Sequence, residues 1–204
     1  MKTFTITFLA IIVSSVVLWA QPSITLLTFE SYTFADKFDT EYGTGKIGDG
    51  FQWGGGLEFG LTETAAVELI YQTLKANVDY QGFNAIRYSG DVVLSYIMLG
   101  GTRYLPLNEK ISGFGTANLG VGWSNPDQSL NSESVTKFSL GGRVGVRIQA
   151  TEKVSLRLHA QLFSPVQWAG GGFYFGTGGS GAGVSTGSTI WQFNLGGSLN
   201  FRIK

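Results

Sequence analysis

Cysteine is absent from the 204-residue chain. That excludes a disulfide framework, a thiolate metal site and a lipid-modified N-terminal cysteine. Proline is scarce, at 4 residues. Histidine occurs once, as His159, and a single imidazole with no thiol supplies too few ligands for zinc. Neither sign of charge is in excess, with 14 Lys and Arg against 14 Asp and Glu. There is also no basic tract or basic helix, so no nucleic-acid partner is expected. Beyond residue 20 no apolar run approaches the ~20 residues a membrane-spanning helix needs. Glycine and aromatics, by contrast, are abundant: 30 Gly, 15 Phe, 8 Tyr and 5 Trp. Disordered chains lack aromatics, so this is the composition of a folded chain, and its length suits one domain.

The N-terminus begins with a positive residue, Lys2. A nearly unbroken apolar or small stretch from Phe4 to Leu18 follows, and Ala20 precedes Gln21 and Pro22. This order predicts a secretory signal peptide over residues 1–20, cleaved after Ala20, and a mature domain over 21–204.

Within that domain the apolar residues are dispersed in alternation. From Trp191 to Ile203 every odd position is apolar or glycine, and every even position is polar or glycine. Side chains of a strand point alternately to two faces, so this segment has one greasy and one wet face over a length that crosses a bilayer at a tilt. Seven further segments alternate: 26–38, 51–61, 65–78, 87–105, 111–123, 136–149 and 154–163. The register of the first is open, because Leu26 and Leu27 are adjacent. Placing Glu30 inward would also turn Tyr32 and Phe34 inward. In the fourth, Val92, Leu94, Tyr96 and Met98 are assigned outward, and Asp91, Ser95 and Arg103 inward. Short connections (62–64, 106–110, 150–153) alternate with long ones (39–50, 79–86, 124–135, 164–189). Trp53, Tyr88, Tyr104, Trp123 and Trp191 fall near strand ends, where aromatic girdles sit at the headgroup level. The pattern predicts an all-β, eight-stranded antiparallel up-and-down transmembrane β-barrel. Short periplasmic turns and longer extracellular loops would put both termini in the periplasm.

An eight-stranded barrel is just wide enough to be filled by side chains, so an open pore is not expected. The inward set carries both signs: Glu58, Glu68 and Asp91 against Arg103, Arg143, Arg147, Arg157 and Arg202. Unpaired charge in a low-dielectric interior is costly, which predicts a carboxylate–guanidinium network in the periplasmic half of the lumen. His159 is assigned to the lumen as a buried histidine rather than a catalyst. The glycine-rich stretch from Trp168 to Ser188 lacks the lysine of a phosphate loop. It is expected to be the last outer loop, with Trp168, Phe173, Tyr174 and Phe175 as candidate surface-binding aromatics.

The segments from Leu26 to Lys204 resemble the small OmpA-like barrels of Gram-negative bacteria, within the broad outer-membrane β-barrel family in which the barrel is the whole mature protein. The resemblance is most specific at the C-terminus. Asn194, Gly196, Leu199 and Phe201 follow in order the polar, glycine, apolar and aromatic pattern that marks substrates of the barrel-assembly machinery. Arg202, Ile203 and Lys204 extend past the point where that signal usually ends.

Resemblance and residues together imply a non-enzymatic outer-membrane protein with a filled polar lumen. Its role would be structural or in surface interaction, or at most that of a narrow gated pore. It would need no metal or cofactor, and its partners would be outer-membrane lipid and, during biogenesis, the assembly machinery. Two other classes fit parts of the pattern: an outer-membrane lipid-modifying enzyme, and a secreted lipocalin-like barrel. The second requires the apolar faces to point inward and Arg143, Arg147 and Arg157 to point outward.

Overall fold

In the computed structural model, which describes residues 23–40, 43–82, 87–126, 134–165, 172–176, 179–183 and 191–204, alternating segments form the wall of a closed barrel. The proposed signal peptide lies outside the described residues. In chain order the strands are β1 (Ile24–Thr33), β2 (Asp36–Thr40), β3 (Gly43–Ile47), β4 (Gly50–Thr62), β5 (Ala65–Gly82), β6 (Arg87–Pro106), β7 (Ile111–Pro126), β8 (Val135–Gln149), β9 (Val154–Pro165), β10 (Gly172–Gly176), β11 (Gly179–Gly183) and β12 (Gln192–Arg202). β1, β4 to β9 and β12 make the eight-stranded antiparallel wall, closed by the pairing of the first strand, β1, with the last, β12. The β2–β3 hairpin stands beside the far end of β5, with Ile47 opposite Val78 and Gly43 opposite Gly82. β10 and β11 form a separate hairpin.

The short turns are closed by the polar residues at their starts. The Asn108 side-chain oxygen accepts from the amides of Lys110 (2.9 Å) and Ile111 (2.8 Å). The Thr151 hydroxyl accepts from Lys153 (3.2 Å) and Val154 (3.1 Å). Such side-chain-to-backbone bonds favour turns over continued strand.

The stagger of the wall follows from its register. From Leu105 the row of directly opposed residues runs through Gly113, Val146, Leu158, Gly197, Glu30, Trp53 and Thr73, and returns to β6 at Ser95. One circuit therefore climbs from Leu105 to Ser95, a shear of ten residues. With eight strands that shear tilts the strands by about 40°.

The exterior is apolar. Leu26, Leu57, Leu69, Leu99, Leu119 and Leu140 are exposed and lie on one row of directly opposed residues. Toward the long-loop end Phe34, Phe51 and Phe193 are exposed, with Phe34 5.6 Å from Phe193 and Tyr32 5.7 Å from Phe51 between ring centres. Trp53 and Trp191 are exposed there too. The polar faces point inward. Arg143 and Arg157 are buried, as are Gln52, Glu58, Glu68, Asn194 and Asn200. Some lumen-facing strand positions can only be glycine. A Cβ at Gly145 would stand 2.0 Å from the Leu158 carbonyl oxygen and 3.0 Å from the Cβ of His159.

Two strands depart from the expected orientation. On β6 the assignment is reversed: Val92, Tyr96, Met98 and Tyr104 are buried in the lumen, while Ile97, Leu99 and Leu105 are exposed. Asp91 and Arg103 therefore lie on the exterior and outside the lumen network, and Tyr104 leaves the proposed girdle. Both faces of β6 are apolar enough for either register, so its neighbours decide. The reversed one places Leu99 in the leucine row, buries Tyr96 against Phe163 (5.2 Å between rings) and brings Tyr104 to Glu58. Ser95 ends on the exterior but is still buried, bonded to Thr73 (3.1 Å). On β1 the open register resolves with Leu27, Phe29, Ser31 and Thr33 inward and Leu26, Glu30 and Phe34 exposed.

The lumen is therefore layered. Its long-loop half is apolar and amide-rich: Leu27, Phe29, Ile70, Tyr96, Met98 and Phe163 form one cluster, and Ile47, Leu74, Ala76 and Val92 form another. Its short-turn half holds the charges.

Candidate functional site

Charges of the same sign are placed side by side on the wall. Glu58 and Glu68 are directly opposed on β4 and β5 and both face inward. Arg147 and Arg157 are directly opposed on β8 and β9. Each like-charged cross-strand pair is unfavourable alone. In this barrel the carboxylate pair is compensated across the lumen by Arg157 and Arg143, while Arg147 makes no ion pair to either carboxylate among the described residues. Arg157 binds Glu58 and lies 3.6 Å from Glu68, while Arg143, two inward positions before Arg147 on β8, binds Glu68. Arg143 is 1% exposed and Glu68 0%. The ion pairs thus join the β4–β5 wall to the β8–β9 wall through the interior.

Neutral groups complete the network. The Tyr104 hydroxyl donates to Glu58 (2.6 Å) and accepts from Arg157. Thr102 donates to Glu68 (3.3 Å) and shares a bond with Thr116 (2.9 Å). Aromatic faces carry the guanidinium planes: Arg143 lies 4.6 Å from the centre of Phe29, Arg147 4.1 Å from Tyr104, and Arg157 5.3 Å from Phe114. Stacking of this kind suits arginine, which is weakly hydrated and planar. Above the charges, Gln161 donates to Gln72 (3.0 Å) and Tyr96 to Gln192 (2.8 Å).

Of the residues assigned to the network from sequence, the structure joins Glu58, Glu68, Arg143 and Arg157, with Arg147 stacked at its edge. Arg202 follows the inward register of β12 but is exposed at the strand end. Asp91 pairs on the exterior with Lys75 (2.8 Å), and Arg103 is exposed there. The pattern of polar inward positions could not point to Phe29, Tyr104 and Phe114, because aromatic residues on a barrel strand are expected to face lipid.

His159 is 5% exposed, inside the lumen, with its ring edge-on to Phe29 at 6.1 Å. Among the described residues no group of three or more His, Cys, Asp or Glu could hold a metal ion. Phe173, Tyr174 and Phe175 lie on β10, paired with Ala182, Gly181 and Ser180 of β11; Trp168 lies outside the described residues. Asn194, Gly196, Leu199 and Phe201 lie on β12 at the closing seam, between β1 and β9. Asn194 is buried, and Leu199 and Phe201 are exposed. At this seam the Thr28 hydroxyl bridges the carbonyl (3.0 Å) and amide (3.2 Å) of Leu199.

The fold is that of small eight-stranded outer-membrane β-barrels. The structure is similar to Neisserial surface protein A, with a TM-score of 0.59 and 15% identity over 88% of this chain and 97% of that one. It is similar to the outer membrane protein OprG from Pseudomonas aeruginosa, with a TM-score of 0.54 and 13% identity over 89% of this chain and 97% of the other. It is also similar to the outer membrane protein AlkL in DMPC lipid bilayers, with a TM-score of 0.51 and 13% identity over 91% and 92% of the two chains. No family model and no curated protein matches the sequence.

Proposed function

We propose that the chain is a non-enzymatic integral outer-membrane β-barrel protein whose lumen is closed by a plug of its own side chains. The observation that carries this reading is the buried cross-lumen pairing of Glu58 and Glu68 with Arg143 and Arg157. A permeation path would have to break those pairs, and leaving either partner uncompensated in the interior costs about 3–5 kcal/mol. The exposed apolar exterior suits hydrocarbon, and the inward guanidinium groups argue against a lipocalin-like barrel. In this reading residues 1–20 direct export, the short turns and both termini face the periplasm, and Asn194, Gly196, Leu199 and Phe201 are read by the assembly machinery. The role is structural or in surface interaction through the long-loop end, where β2–β3, the far ends of β5 and β6, and the β10–β11 hairpin with Phe173, Tyr174 and Phe175 rise. The enclosed His159 is unsuited to catalysis at the rim.

The test is reconstitution in lipid, with heat-modifiable gel mobility and planar-bilayer conductance recorded on one preparation. Heat-modifiable protein with no steady conductance is expected. A large steady conductance would make it a channel, and lipase or acyl-transfer activity in the same preparation would make it an enzyme.

A further inference from the structure

Arg103 stands on the apolar exterior, exposed, with no ion pair to any described residue. An arginine facing lipid costs about 2–4 kcal/mol at the bilayer midplane and about 0–1 near the interface, so its depth matters. Arg103 is near the end of β6 at the short turns. The row of directly opposed residues through it runs to Gly115, then Val144, then Ala160. This is the direction in which the row from Leu105 climbs to Ser95. Three strand spacings cover about 14 Å, and at the strand tilt they rise about 9 Å toward the long-loop end. The guanidinium is thus at the headgroup level, while Ala160 is within the hydrocarbon.

At Ala160 the row enters a groove on the outer wall. It has a volume of about 620 Å³; Gly142, Val144, Ala160 and Leu162 line it on the lipid side, with Trp191 and Phe193 toward its long-loop end, so its lower part lies nearest Arg103. Its lining is apolar, and its size is that of a ligand pocket. Between Arg103 and the groove the wall is low: the row meets Gly115 first, and Val144 is the one side chain standing on it before Ala160. A Cβ added at Gly101 or Gly115, the exterior neighbours of Arg103, would meet no atom within 4 Å, and one at Gly142 only the Thr116 carbonyl oxygen at 3.8 Å.

We propose that this exterior path is a binding site for one anionic phospholipid of the periplasmic leaflet. Its phosphate is held by Arg103, and one acyl chain crosses Gly115 to lie in the Gly142–Ala160 groove. Charge complementarity selects the occupant. The planar fork of arginine matches a phosphate in bidentate fashion, and basic residues at a membrane surface favour anionic lipid. The site rests on the outer-membrane reading and on its periplasmic short turns.

The experiment is native mass spectrometry of the full-length mature protein released from nanodiscs of equal phosphatidylglycerol and phosphatidylcholine. The wild type should retain one phosphatidylglycerol in preference to phosphatidylcholine. Arg103→Gln should lower that preference about tenfold, and Gly142→Leu with Ala160→Leu should remove the retained lipid. Lys37→Gln, exposed on β2, should change neither. Equal retention of the two lipids by the wild type, or an unchanged preference in Arg103→Gln, overturns the phosphate contact. Full retention in the groove-filled variant overturns the chain path. Displacement of the lipid by millimolar inorganic phosphate overturns the assignment to a lipid. Heat-modifiable mobility is recorded for each variant; a wild type that never inserts into the nanodisc refutes the membrane reading instead of this site.

Discussion

At the scale of single residues, the decisive groups are the charges and what surrounds each. Glu68 accepts from Thr102 and pairs with Arg143 at full burial. Glu68→Gln would leave Arg143 uncompensated, and we expect a loss of about 3–5 kcal/mol in lipid-reconstituted unfolding followed by tryptophan fluorescence. Replacing both partners, Glu68→Leu with Arg143→Met, should recover most of it, because the desolvation cost vanishes with the charges. A double variant no more stable than the single would show that the pair is not the unit. Glu30 is the opposite case: an exposed carboxylate on the exterior between Trp53 and Gly197 in the ladder. Carboxylates facing lipid are unfavourable, so Glu30→Leu should raise stability by about 1 kcal/mol. A destabilised variant would mean that Glu30 has a partner in the membrane. Glu58, Glu68, Arg143 and Arg157 were legible in the sequence because each falls on the polar face of a cleanly alternating segment. Arg103 and Asp91 were not, since their strand has no clean polar face and the charges alone cannot choose one.

At the scale of elements, strand positions and short turns followed from periodicity and turn chemistry, whereas strand orientation required the neighbours. β12, β8 and β9 alternate cleanly and face as expected. β1 and β6 have large apolar side chains on both faces, and only the ladder row and lumen volume decide between registers. That choice is testable in a chain with no cysteine of its own. Ile97→Cys should react with a lipid-soluble maleimide in the folded barrel, and Met98→Cys should be protected; the reverse result would restore the orientation expected from sequence. The sequence places residues 36–38 at the end of the first strand and 39–50 in a loop; in the structure that strand ends at Thr33, and residues 36–40 and 43–47 form the β2–β3 hairpin. It forms strands because the far end of β5 offers it a free edge. Its return to the wall is tied by the Tyr32 hydroxyl, which donates to Asp49 and holds that carboxyl below its ordinary value of 3.8. With the folded value lowered, the tie is fully present above the ordinary value and is lost only as pH falls through the folded one. Carbon NMR titration of Asp49 should give a midpoint below 3.8, and Tyr32→Phe should move it upward.

At the scale of the molecule, the arrangement has one consequence that no single strand shows. An empty barrel of eight strands would be held only by its ladder. Here the carboxylates of β4 and β5 and the guanidinium groups of β8 and β9 pull opposite walls together through the axis. Above them Leu27, Phe29, Ile70, Tyr96, Met98 and Phe163 close the remaining section with apolar volume. Two barriers of different chemistry therefore lie in series: a charged one that opens only by exchanging partners, and an apolar one that opposes wetting. Removing the first should not open the second. Glu58→Gln with Glu68→Gln should lower stability yet give no steady conductance in planar bilayers. Adding Phe163→Ala and Met98→Ala to that background should produce discrete conductance steps. If the carboxylate variant alone conducts, the ion pairs are the gate and the apolar layer is permeable. If the fourfold variant stays silent while heat-modifiable, the closure lies elsewhere, in the loops above the barrel.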